Sequence, residues 1–214
     1  MTAFGFLHTA DLHVERFTRL LLDISPDDRP LHIVDPSLLT DAVRRGGVDD
    51  DLRARIATHI RALGAQGAAR VVCTCSTIGG PSEEIGRTEG VDVLRVDRPM
   101  AAAAVAMGGR LAVVAALEST LGPTRALLLE TAAAAGRRVT VVDAPCLEAW
   151  AFFEAGDHDR YLAAIAAHLV SLDGAFDVIV LAQASMAPAQ SLVRLTSPVL
   201  SSPRIAVLDI VARR

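Results

Sequence analysis

One pattern recurs along the chain and limits what it can fold into: short β-branched runs, each followed by a stretch of helical spacing. Residues 4–8, 31–35, 70–75, 91–96, 110–117, 138–143 and 177–184 read as strands. The short β-branched run that begins at residue 70 suits a buried parallel strand. Helical spacing follows at 14–24, at 49–63 with its acidic start, and at 99–107 with Pro99 in the first turn. It returns up to 135, across 146–172 with a break near 156–157, and at 188–195. A last helix starts after the N-cap Ser202. Strands that alternate with helices throughout predict an α/β fold with parallel sheets.

The pattern also restarts halfway. Leu31-His-Ile-Val-Asp35 matches Val139-Thr-Val-Val-Asp143, and Val71-Val-Cys-Thr-Cys75 matches Ile179-Val-Leu-Ala-Gln183, both 108 residues apart. Two matches at one offset predict an internal duplication. The expectation is two pseudo-symmetric Rossmann-like lobes, residues 1–98 plus 199–214 and residues 99–198, with the closing helix packed across to the other lobe. The active site is expected in the cleft between them, fed by the third strand of each lobe.

Composition removes several functions. A net charge of −4 and a pI near 5.8 argue against nucleic acid as a partner. The most apolar stretch, residues 100–117, is cut by Gly108-Gly109-Arg110, so no membrane partner is expected. The N-terminus lacks a basic n-region, and three cysteines are an odd number for a disulfide framework, which together predict a cytoplasmic protein. No lysine occurs, so a Schiff-base lysine and a P-loop lysine are both ruled out.

The stretch Arg70-Val-Val-Cys-Thr-Cys75-Ser-Thr-Ile-Gly-Gly-Pro81 carries the strongest chemical signal. It reads as a strand that breaks into small polar residues, with Glu83-Glu84 expected in the first turn of the helix that follows. A thiol at such a strand end lies beside free backbone N–H groups, which bind anions and favour thiolate. His8 ends the first strand and is a candidate replacement acid or base, against the plainer reading of a core or surface histidine. Cys73 and Cys146 read as packing residues. Asp35 and Asp143 read as helix caps, and Asp11 as a loop residue or an orienter of the thiol. The remaining histidines show no metal-ligand spacing.

These residues resemble the aspartate/glutamate/hydantoin racemase superfamily, whose relatives include arylmalonate decarboxylase and maleate isomerase. Cys75-Ser76-Thr77 is similar to that family's Cys-Asn-Thr, and Ile179-Val-Leu-Ala-Gln183-Ala-Ser-Met186 to its second Cys motif. Pro198-Val-Leu-Ser-Ser-Pro203 is similar to the lead into its closing helix. The resemblance spans essentially the whole chain. It implies cofactor-independent abstraction of a proton next to a carboxylate or carbonyl, with Cys75 as proton carrier and a small carboxylate as substrate. Ser76, Thr77, Ser119, Thr120 and Ser185 would hold the oxygens of the enolate-like intermediate. Members are often dimers or larger, so a homo-oligomer fits.

The chain departs from that family at Gln183, which stands where the second Cys belongs. An amide is neither acid nor base near neutral pH, so Gln183 is expected to hydrogen-bond substrate or simply to end the strand. Three functions stay open: a racemase-like isomerase, a single-Cys decarboxylase of malonate-type acids, and a non-catalytic carboxylate binder. Single-Cys decarboxylases carry their thiol in the second lobe, so one built on Cys75 would protonate from the opposite face.

Overall fold

The structure is a computed structural model and describes residues 1–213. The chain divides into two compact units, Met1–Arg98 together with the segment from Pro203, and Pro99–Ser202.

The first unit contains β1 (Ala3–His8), α1 (Leu12–Ile24), β2 (Arg29–Val34), α2 (Ser37–Arg45), α3 (Asp50–Ala65), β3 (Ala68–Cys73), α4 (Ser76–Glu89) and β4 (Val93–Arg95). Its four strands are all parallel, in the order β2-β1-β3-β4. The second unit contains α5 (Arg98–Met107), β5 (Arg110–Val114), α6 (Leu121–Ala134), β6 (Thr140–Asp143), α7 (Ala149–Glu154), α8 (His158–Leu172), β7 (Val178–Leu181) and β8 (Val199–Ser201). A 3₁₀ turn, Glu118–Thr120, precedes α6, and a 3₁₀ segment, Ala184–Leu192, follows β7. This sheet is also all parallel, in the equivalent order β6-β5-β7-β8. The last helix, α9 (Ser202–Ala212), groups with the first unit. The expected α/β class with two equivalent parallel sheets is what the chain forms.

The central strands bury side chains on both faces, while the edge strands are mostly half-buried. In the first unit Leu7, Val71 and Cys73 pack with Leu38, Ile56, Ile60, Ile78 and Ile85 of α2, α3 and α4. Phe6 and His8 alternate with Leu7 and meet Phe17 of α1. The core of the second unit joins Ala112, Val114, Ile179 and Leu181 to Tyr161, Ile165 and Leu169 of α8.

Three elements differ from the sequence reading. The glycine-rich run after Cys75 is not a loop: α4 begins at Ser76 and runs through Gly79-Gly80-Pro81, so Glu83 and Glu84 lie two turns in. The glycines let the helix approach β4. A Cβ on Gly86 would sit 2.5 Å from Val93 Cγ2 and 2.8 Å from the Val91 carbonyl, and one on Gly79 would sit 2.9 Å from Arg95 Cβ. Residues 199–201, expected as a lead into the last helix, form the edge strand β8. Helix α2 falls where no element was expected, closed by Gly46 in the left-handed conformation (φ 71°).

The two halves bond alike at the third strand and differ at the second. Thr74 N–H donates to the Leu7 carbonyl (3.0 Å) just as Ala182 N–H donates to that of Val114 (2.9 Å). Cys75 (φ −113°, ψ 116°) and Gln183 (φ −121°, ψ 135°) are then equivalent N-caps of the helical segments that follow. In the second strands, Asp35 N–H bonds the His8 carbonyl, whereas Asp143 still lies inside β6 opposite Val113. The residue in the Asp35 place is Cys146, whose N–H bonds the Ala115 carbonyl. The Asp35–Asp143 match joins apolar runs of similar text, not equivalent positions.

Candidate functional site

Cys75 sits two residues beyond the end of β3, as the N-cap of α4 and 8% exposed. Burial pushes its thiol above the ordinary value. The Thr9 hydroxyl, the backbone N–H groups of Ile78 and Thr77, and the Thr77 hydroxyl pull in the opposite direction without outweighing it. The resting group is therefore a neutral thiol aimed at anion-stabilising donors. Ser76, in the first turn of α4, is buried at the same strand end, and Thr77 is half-buried. Cys73 and Cys146 are fully buried, and burial drives both thiols to about 12. They are packing residues.

His8 has no exposed surface, and both of its ring nitrogens are engaged. The donors along its chain can be assigned in order. Thr74 Oγ1 donates to the Leu7 carbonyl (3.1 Å), so it must accept from His8 Nδ1 (2.9 Å). His8 Nε2 is then bare and accepts from His32 Nδ1 (2.9 Å), and His32 Nε2 accepts from the Thr18 hydroxyl (2.8 Å). Burial, with His13 and His32 nearby, lowers His8 to about 2. A neutral imidazole with both nitrogens occupied holds no proton or lone pair for a substrate. Its visible action is to tie β1 to Thr74, the neighbour of Cys75. This relay was missed in the sequence because its members lie 24 and 66 residues apart. The signal that could have found it is that His32 pairs with Phe6 across β1 and β2, on the face that carries His8.

In the second unit Gln183 is 9% exposed. Its Oε1 accepts from two consecutive backbone N–H groups at the end of β5, Ala116 (2.7 Å) and Leu117 (3.0 Å). Thr120 is buried and its hydroxyl donates to the Leu117 carbonyl (2.7 Å), while Ser119 lies half-buried in the same 3₁₀ turn. Ser185 is buried and shares a 2.7 Å hydrogen bond with the Tyr161 hydroxyl. In this unit Gln183, Ser119 and Thr120 thus gather at the strand ends, on the turn that begins at Leu117. Among the described residues no group of three His, Cys, Asp or Glu side chains is placed to hold a metal ion. None of the described helices is long and apolar enough to cross a membrane.

Comparison with solved structures places this geometry in a known fold. An aspartate racemase from Picrophilus torridus superposes with a TM-score of 0.75 at 12% identity, covering 100% of this chain and 94% of that one. A glutamate racemase from Bacillus anthracis gives 0.71 at 14% identity, covering 99% and 81%. A glycine-to-cysteine mutant of arylmalonate decarboxylase gives 0.60 at 19% identity, covering 98% and 92%. No protein-family model and no curated protein matches the sequence. The chain has the fold that these two racemases and the decarboxylase share.

Proposed function

We propose that this protein is an enzyme that moves a proton at the carbon next to a carboxylate or carbonyl of a small acid, with Cys75 as the proton carrier. The observation that carries this reading is the Cys75 sulfur, set at a helix N-terminus among the donors of Thr9, Thr77 and Ile78. In the isomerase direction the Cys75 thiol first gives up its proton to solvent, and the thiolate then takes the substrate's: the C–H bond breaks, an S–H bond forms, and the electron pair moves onto the carboxylate oxygens. Hydroxyls and backbone N–H groups at the strand end, with Ser76 and Thr77 foremost, spread that charge, which water cannot do as well. Return of that proton from Cys75 gives exchange with retention, and inversion requires that the other face of the carbon take its proton from solvent. The role of His8 in this scheme is positional, through Thr74.

A second reading is favoured by one feature, the amide at Gln183 where a second thiol would be. With one thiol, decarboxylation of a malonate-type acid balances: the C–C bond breaks, CO₂ leaves, and the neutral Cys75 thiol protonates the carbon. The buried, protonated resting state of Cys75 suits that donor role. The test compares the wild-type chain with Cys75→Ala on aspartate, glutamate, a 5-substituted hydantoin and a disubstituted malonate. Inversion of configuration that depends on Cys75 establishes the isomerase. Cys75-dependent release of CO₂ establishes the lyase. Identical silence of both proteins rejects catalysis by Cys75 on these acids.

A further inference from the structure

Gln183 is a side chain whose orientation can be assigned from its neighbours alone. Two N–H groups, from Ala116 and Leu117, point at one end of its amide at 2.7 and 3.0 Å. Only the carbonyl oxygen can face them, because an NH₂ in that place would set donor against donor and leave two backbone groups unsatisfied. The oxygen of Gln183 is therefore spent inside the protein. Its Nε2, with two protons, forms no hydrogen bond to a described residue. The side chain is also bent back onto the end of β5 and does not cap the 3₁₀ segment it precedes. Cys75, the equivalent residue of the first unit, likewise makes no side-chain cap hydrogen bond, but the backbone N–H groups of Thr77 and Ile78 act on its sulfur.

We propose that Gln183 is a fixed hydrogen-bond donor to an sp² oxygen of the ligand, a carboxylate or a ureide carbonyl. It has no part in moving protons. This rests on the reading above only for the class of ligand. The physical case is that Nε2 is not among the buried polar atoms left without a partner, so the NH₂ of an otherwise buried amide faces out of the protein, where a ligand acceptor can take the place of water. Two donated N–H bonds hold the amide in place before the ligand arrives, so little ordering is needed on binding. Such a group recognises acceptors and discriminates against ligands that present a donor there. It also explains how an amide can replace a thiol at this position: it trades a proton carrier for a fixed point of recognition.

The test is ligand binding by calorimetry at pH 7.5, with the full chain and Gln183→Glu. The probes are dimethylmalonate and 5,5-dimethylhydantoin, which carry no proton on the central carbon. The introduced carboxylate can still accept from Ala116 and Leu117 but offers an acceptor in place of a donor. A wild-type chain that binds dimethylmalonate, with affinity at least tenfold weaker in Gln183→Glu and an unchanged melting temperature, supports donation to a carboxylate. The same loss with dimethylhydantoin in place of dimethylmalonate assigns the donation to a carbonyl. Equal affinity in the two proteins, or no binding of either probe by the wild-type chain, overturns the inference. Cys75→Ala separates the two claims: if it loses proton exchange but keeps probe affinity, the role of Gln183 stands apart from that of Cys75.

Discussion

Cys75 is held between two opposed effects, and their balance can be measured. Burial favours the thiol, while the donors of Thr9, Thr77 and Ile78 favour the thiolate. Removing one donor to a charged sulfur should cost about 1.5 kcal/mol or more. Thr77→Val is therefore expected to slow alkylation of Cys75 by iodoacetamide roughly tenfold at fixed pH, and to move the pH midpoint of the reaction upward. Thr77→Ser, which keeps the hydroxyl, should react like the wild type. Equal rates in wild type and Thr77→Val, followed by peptide mapping of Cys75, would remove Thr77 from the site. Cys75 and Gln183 were legible in the sequence as equivalent residues, because strand ends followed by small polar residues are a local signal. Their partners were not. Nothing in the spacing says that the Gln183 oxygen turns back to Ala116 and Leu117, or that His8 is sealed between His32 and Thr74. Those contacts depend on neighbouring strands, not on neighbouring residues.

At the scale of elements, α4 shows how a glycine-rich run can mislead. Gly79, Gly80 and Pro81 weaken a helix by propensity, and so they read as a loop. Packing reverses the preference: α4 lies so close to β4 that side chains at Gly79 and Gly86 would collide with Arg95 and Val93. Gly86→Ala is expected to destabilise the chain by about 2 kcal/mol, since the added methyl meets a side chain and a carbonyl below 3 Å. Chemical denaturation would check this. A stability equal to the wild type would mean that the helix can move off the strand. The short edge strand β8 escaped notice for a different reason. Three residues between Pro198 and Ser202 are too few for a period of two to show. The matched Asp35 and Asp143 are a further lesson at this scale. Buried parallel strands have similar text, so their register is decided by hydrogen bonds and not by apolar pattern.

For the molecule as a whole, the alternation of strands and helices carried the fold class and the restart carried the two equivalent sheets. The interior chemistry adds a property that neither pattern reveals. His8 and His13 are buried and neutral, lowered to about 2 by burial with His13 and His32, and to about 3 by burial with Arg16. In the unfolded chain both titrate near 6.5. The folded state thus binds fewer protons than the unfolded state at every pH between the two values. Stability is full above about pH 6.5 and falls as the pH drops below it. At pH 5 the two histidines together should remove about 4 kcal/mol of stability relative to pH 7.5. His8→Phe combined with His13→Phe should flatten that slope, even if the double variant starts from a lower stability. A wild-type unfolding free energy that does not change between pH 7.5 and 5 would contradict the buried, neutral state of these rings.

The central claim is that Cys75 carries a proton to or from carbon. The most direct measurement is deuterium exchange followed by proton NMR in D₂O. Wild type, Cys75→Ala and Cys75→Ser are each incubated with aspartate, glutamate, a hydantoin and a monosubstituted malonate. The wild-type chain is expected to exchange the proton next to the carbonyl of at least one of these acids, or to replace a lost carboxylate by deuterium. Both variants are expected to lose at least 100-fold of that rate, a factor typical of removing a positioned acid or base. Exchange at equal rates in all three proteins would contradict the assignment of Cys75, and so would its absence from all three.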